Sequence, residues 1–349
     1  MQDIGQRHCR VINMVEIYKI IFKAESPIHI GYRQIGNLKT TRYYIMGKQM
    51  WGAITSNLTK ALFENPKSDE YKKVGEFVKE HIKATYFYPA IKKDDKTQNL
   101  GKNVDGYVVL LPKYTETENG LKIDELSKEK FEQYFIKSYV STALEINTRT
   151  AEECSLHEFE YINSKICYKE KIYDVYWIGY LIVDENREKD GIKIEECNGD
   201  DIRILSENNN DVSLKDVLNI IQVGGERNYG FGKLKLEKIK KTDKLFNTYQ
   251  IEIIESEEDS KTIYLIKPTN DSLIAHLELE PNNNKIKGFH GEIEAFSGME
   301  WENNENKKKK GAGQKIGEIK ICLTPGSTIE MKDEAKISLG YFGILKIQS

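Results

Sequence analysis

Apolar and polar positions alternate along this chain in two different rhythms. Residues Val15–Ala24 repeat with a period of two, putting Tyr18, Ile20, Phe22 and Ala24 on one face, and predict a first strand. From Gly47 the spacing becomes helical through Trp51, Ile54, Leu58 and Leu62, and Pro66 closes the segment. Val74, Phe77, Val78 and Ile82 predict a second helix over 69–83, followed by strands at 85–88 and 107–111. Phe131, Tyr134, Phe135 and Ala143 predict a helix over 127–144. The clearest strand is 172–183, with Tyr173, Val175, Trp177, Gly179, Leu181 and Val183 on one side. The acidic, asparagine-rich stretch 184–211 reads as a surface hairpin or insertion. Ser213 is placed to cap a short helix through Leu214, Val217, Leu218 and Ile221, and 233–239 returns as a strand. Beyond Thr242 helical periodicity fades, and 251–254, 262–266, 292–295, 316–323 and 337–347 read as strands. The pattern predicts an α+β fold, with helices on one face of an antiparallel sheet and a β-rich C-terminal part. The expected division is an N-terminal extension over 1–14, a domain over 15–243 and a second over 244–349.

Composition narrows the function classes. The chain has 349 residues, 39% hydrophobic and 31% charged, which suits a globular protein with a sizeable core. No run approaches the roughly 18 apolar residues that span a bilayer, and the first residues lack the apolar stretch of a secretion signal. The five cysteines are scattered without CxxC spacing, which argues against a zinc site and a disulfide framework and fits a cytoplasmic location. The net charge of −3 is not that of a general nucleic-acid binder, so any such contact must be local or completed inside an assembly.

Residues 223–233 hold the densest chemistry. Gly224, Gly225, Gly230 and Gly232 share eleven residues with Arg227, Asn228, Tyr229 and Phe231. Glycines let another chain approach the backbone, free N–H groups can cradle phosphate, Arg227 can pair with it, and the aromatic rings can stack on unpaired bases. The alternative is a tight turn that needs glycine for geometry alone. A Rossmann fingerprint is excluded because no strand is expected before the loop and a strand, not a helix, follows, and the GK[ST] of a Walker loop is missing. A second feature is residues 31–60, with Arg33, Lys39, Arg42, Lys48 and Lys60 and no acidic residue. Tyr32, Tyr43, Tyr44 and Trp51 are interleaved with them, a mixture that suits tracking a single strand, or else a solvated surface over core aromatics. His29 is the candidate for acid–base chemistry on a ribose hydroxyl, against a plain hydrogen-bonding role. The run Lys307–Lys310 reads as a solvated loop.

Four pieces in order carry a family resemblance. Residues 224–232 resemble the glycine-rich loop of the RAMP superfamily of CRISPR-associated proteins. Residues 26–31 resemble the segment after that superfamily's first strand, and 44–53 resemble the "IPGxxhxGa" segment opening its first helix, with Met46 in place of the proline. Residues 147–151 followed by 156–162 resemble its central arginine-containing segment and strand. The resemblance implies ferredoxin-like, RRM-related domains and binding of CRISPR RNA. Within the superfamily the chain looks most like the fifth Cas family, which caps the 5′ handle of the guide RNA, with the seventh, the repeated backbone, as nearest competitor. This implies guide RNA, backbone subunits of the seventh family and a large or nuclease subunit as partners, and no cofactor, metal or membrane. Gly31, Arg33, Lys39, Arg42, Lys48, Trp51 and the glycine loop would hold the RNA, with Arg149 on the same path. The competing readings are a metal-independent endoribonuclease that uses His29 and a scaffold that touches only protein.

Overall fold

A computed structural model describes residues 15–115, 120–142, 145, 150, 156–185, 187–195, 201–207, 210–255, 262–266, 272–280, 285–302, 311–332 and 336–348. Its centre is an antiparallel sheet in the order Ile220–Gln222, Lys233–Lys241, Val15–Ala24, Lys171–Asp184, Tyr88–Lys92, Tyr107–Val109, Lys102–Val104. Ile82–Ala84 pairs with the far end of Lys171–Asp184, through Leu181–Val183. The helices are α1 (Gly47–Leu62), α2 (Ser68–His81), α3 (Lys128–Phe135) and α4 (Leu214–Asn219).

Two hydrophobic clusters sandwich this sheet. On one side Tyr18, Ile20, Phe22, Trp177 and Leu181 pack with Ile54 and Leu58 of α1, Phe77 and Val78 of α2, and Leu218 of α4. On the other, Ile17, Ile21, Tyr176, Ile178 and Tyr180 pack with Leu245, Phe246, Leu277, Leu323 and Leu345. Val175–Val183 is therefore buried on both faces, which is why Tyr176, Ile178, Tyr180 and Ile182 are as apolar as the residues they alternate with. The C-terminal layer contributes an eight-stranded sheet whose last strand is Ile293–Phe296, beside Lys320–Leu323.

Four differences from the sequence expectation share one cause. The 127–144 helix stops at Phe135, and Ile136–Ser141 becomes a strand paired with His157–Ile162. α2 stops at His81 because Ile82–Ala84 takes the open edge of Lys171–Asp184. The 184–211 stretch holds the expected hairpin, Glu188–Lys189 with Ile192–Ile194, but extends it into a small four-stranded sheet that buries Ile192, Ile194, Ile202 and Ile204. A short strand, Ile220–Gln222, precedes the glycine loop where none was expected, so the loop closes a hairpin with Lys233–Lys241. In each case pairing with another strand overrides local helical or polar character.

Candidate nucleic-acid interface

The glycine loop is strapped to the bend after the first strand. Gly225 N–H donates to the His29 carbonyl at 2.9 Å and Gly232 N–H to that of Pro27 at 2.8 Å. Gly224 sits at φ +80°, and a Cβ there would lie 2.2 Å from the His29 oxygen. Gly232 sits at φ +85°, and a Cβ there would lie 1.9 Å from the Val223 oxygen. Both positions demand glycine for the turn itself. The amides of Gly225, Gly230 and Gly232 are spent inside the protein, so these three do not point at a ligand. Arg227–Tyr229 form a 3₁₀ turn between left-handed Glu226 and Gly230, which turns Arg227, Asn228 and Tyr229 outward. Tyr229 is 58% exposed, whereas Phe231 is buried against Phe159 and Tyr161.

Beside the loop runs an open groove of about 790 Å³ between α1, the start of α2 and residues 222–227. Gln49, Gly52 and Ser56 of α1 form its floor, Tyr71 stands on the α2 side, and Gly224 and Arg227 close the loop side. Trp51 lines it too, but its Nε1–H donates to the Gly75 carbonyl at 2.8 Å and its ring meets Phe342 edge-on, so it is a wall held in place. The groove thus joins three residues singled out in the sequence, Trp51, Gly224 and Arg227. Gln49 and Gly52 fall within the 44–53 motif without having been named as site residues, and Ser56 and Tyr71 were not anticipated. The signal that could have found the first three is their i, i+3, i+7 spacing on the face of α1 opposite Met50, Ile54 and Leu58.

Gly52 has no internal reason to be glycine. A Cβ there would meet nothing within 4 Å, yet glycine in a helix interior costs about 1 kcal/mol relative to alanine. Its neighbour across the helix pair, Gly75, is explained by the Trp51 ring 3.3 Å from where its Cβ would be.

The acid-free segment loses much of its free charge on folding. Lys39 pairs with Glu226 at 3.2 Å, Arg42 with Glu294 at 2.8 Å and Lys48 with Glu300 at 3.7 Å. Arg42 also lies over the Tyr32 ring at 4.5 Å and donates to the Tyr44 hydroxyl. Burial pushes the Lys48 ammonium below its ordinary value. Arg33 stays exposed on the Gly31–Ile35 strand, its guanidinium 4.6 Å from the centre of the Tyr32 ring, and Gly31 opens that strand. Arg149, residues 1–14 and Lys307–Lys310 lie outside the described residues.

His29 is 3% exposed beneath the loop. Its Nδ1 lies 2.6 Å from the Glu160 carbonyl, a contact that only an Nδ1–H can make, so Nε2 carries the lone pair. Burial holds its pKa below the ordinary 6.5, against the opposing pull of that hydrogen bond.

No family model matches this chain, and no curated protein does. Among solved structures it is similar to a chain of the type III-B Cmr-beta complex bound to cognate target RNA and AMPPnP, at 13% identity and a TM-score of 0.44, over 94% of this chain and 98% of that one. A CRISPR protein from Archaeoglobus fulgidus is 12% identical over 96% of this chain and 98% of that one, with a TM-score of 0.32. Oligomeric Cmr4 from Pyrococcus furiosus is 14% identical over 66% of this chain and 100% of that one, with a TM-score of 0.28. No helix among the described residues is long and apolar enough to cross a membrane.

Proposed function

We propose that this chain is a non-catalytic guide-RNA-binding subunit of a cytoplasmic CRISPR ribonucleoprotein. It holds the 5′ handle of the crRNA and adjoins backbone subunits of the seventh Cas family, alongside a large or nuclease subunit. The observation that carries this reading is the groove that sets exposed Arg227 against the small-residue floor of α1. A phosphate can meet the guanidinium while the strand lies close to the helix backbone at Gly52. The order of Lys233–Lys241, Val15–Ala24, Lys171–Asp184 and Tyr88–Lys92, all antiparallel with α1, α2 and α4 on one face, supports the ferredoxin-like reading of the core. The four motif pieces in sequence order support the assignment to the RAMP superfamily.

The test is titration of a labelled single-stranded RNA across a salt series. Arg227→Ala is expected to weaken binding about tenfold and to reduce the salt slope by roughly one phosphate. Equal affinity and slope in mutant and wild type would remove Arg227 from the site. The competing endoribonuclease reading needs His29 to reach a ribose hydroxyl, and its burial beneath the loop counts against it. Repeat RNA cut cleanly in EDTA by the wild type, but not by His29→Ala, would replace the binding-only function with that one.

A further inference from the structure

The segment His157–Ile162 reads His-Glu-Phe-Glu-Tyr-Ile, with aromatic and acidic residues in strict alternation. In a strand the pleat sends these to opposite faces. The structure bears this out: the His157, Phe159 and Tyr161 rings neighbour one another, and Tyr139 of the adjoining strand packs on Phe159 with centroids 5.4 Å apart. Tyr139 pairs in register with Phe159, and Phe159 with Lys39 on the strand beyond. Lys137 lies two residues before Tyr139 on the same exposed edge strand. One face of this four-stranded sheet therefore carries aromatic rings and lysines, while Glu158 and Glu160 occupy the other.

The glycine loop docks on the same face. Phe231 meets the Phe159 and Tyr161 rings at 5.1 and 5.3 Å, and His29 meets Phe159 at 5.5 Å. These rings cover Phe159 completely, but Tyr139 at the edge remains 42% exposed, and Tyr161 and His157 are half-buried. The loop thus borders both the Arg227 groove and a partly uncovered aromatic face.

We propose that this face, centred on Tyr139 and Tyr161, is a base-stacking platform for single-stranded RNA leaving the glycine loop. The proposal rests on the RNA-binding function above and adds a second place of contact, which senses bases rather than phosphates. Three features select this occupant. Exposed rings offer π-faces to unpaired bases, Lys137 and Lys39 supply positive charge on the same side, and the pleat removes the strand's carboxylates to the other side. Lys39 shares its charge with Glu226, whereas the Lys137 ammonium donates to the Gln133 carbonyl at 3.4 Å and keeps its charge uncompensated by that contact.

The experiment measures binding of the full chain to two labelled oligoribonucleotides, one intact and one with abasic positions throughout. Tyr139→Ala is expected to weaken binding of the intact strand about tenfold at an unchanged salt slope, while Tyr139→Phe stays near wild type. On the abasic strand, Tyr139→Ala and wild type are expected to bind alike, which a merely structural role for the ring would not produce. Photocrosslinking of 4-thiouridine RNA to wild type should label the peptides carrying Tyr139 or Tyr161. Tyr139→Ala binding intact RNA as tightly as wild type, with no crosslink to either peptide, overturns the platform but leaves the Arg227 groove standing. Wild type that binds neither strand overturns the platform and the RNA-binding function together.

Discussion

Arg227 stands exposed on the rim of the groove, whereas Arg42 lies against Glu294 at 2.8 Å with only 11% of its side chain exposed. In the sequence the two look alike: each is an arginine close to tyrosine, in a stretch that suggests RNA. The fold separates them by what it brings alongside. The only carboxylate in the glycine loop, Glu226, turns to Lys39. Arg42 meets a carboxylate 252 positions away in sequence, and that carboxylate also bonds His276, which is fully buried and held by the Tyr86 hydroxyl at 2.6 Å. An arginine with a buried acid is part of the frame. One without is free to meet a phosphate.

Arg42→Ala is expected to cost the most stability. Removing one partner of a buried ion pair typically costs about 3–5 kcal/mol, because Glu294 is left under-compensated. The expected result in urea unfolding is a loss of that order, partly recovered when Glu294→Gln is added, since the two changes share one interaction. A loss below about 0.5 kcal/mol would place Arg42 with the surface cations instead. Arg227→Ala is expected to leave the unfolding midpoint unmoved while RNA affinity falls.

The same cluster sets an acid limit. Burial pushes the Glu294 carboxyl up, but His276 and Arg42 outweigh it and hold its pKa below the ordinary 4.5. A carboxylate with a depressed folded pKa contributes stability that is complete above its unfolded value and lost as pH falls through the folded one. Stability measured from pH 6 downward should therefore decline below about 4.5 more steeply in wild type than in Glu294→Gln. Parallel curves for the two proteins would show that the cluster does not set the limit.

The smallest effect is the most diagnostic for the groove. Gly52→Ala fills open space on α1 and is expected to raise stability by about 1 kcal/mol, while weakening RNA binding if the strand lies against the helix. A more stable protein with unchanged affinity would move the RNA path away from Gly52.

Much of the core was legible from residue order. The first strand, α1, the long Lys171–Asp184 strand and the Ser213 cap agree with the structure because each follows from local periodicity or capping chemistry; Ser213 Oγ accepts from Lys215 N–H at 3.1 Å. The 127–144 region differs because Ile136–Ser141 has a partner strand that no local window contains. At the candidate site, the turn-forming role of Gly224 and Gly232 could be read from glycine density, but their steric need involves His29 and Val223 in space. The groove floor escaped notice because small polar residues on a helix look like ordinary solvent-facing positions until a loop stands opposite them.

Residue order alone set one apolar face of the first strand and of the long central strand, and showed that chemistry concentrates around residues 223–233. These depend on backbone preference and on neighbours within a few positions. Packing in three dimensions set which charges stay free and which aromatics stay open. Arg42 and Lys48 are neutralised by Glu294 and Glu300, and Phe231 is covered by Phe159 and Tyr161, while Arg227 and Tyr139 are left outward. Charge pairing and burial depend on distance in space, and the sheet brings together residues hundreds of positions apart.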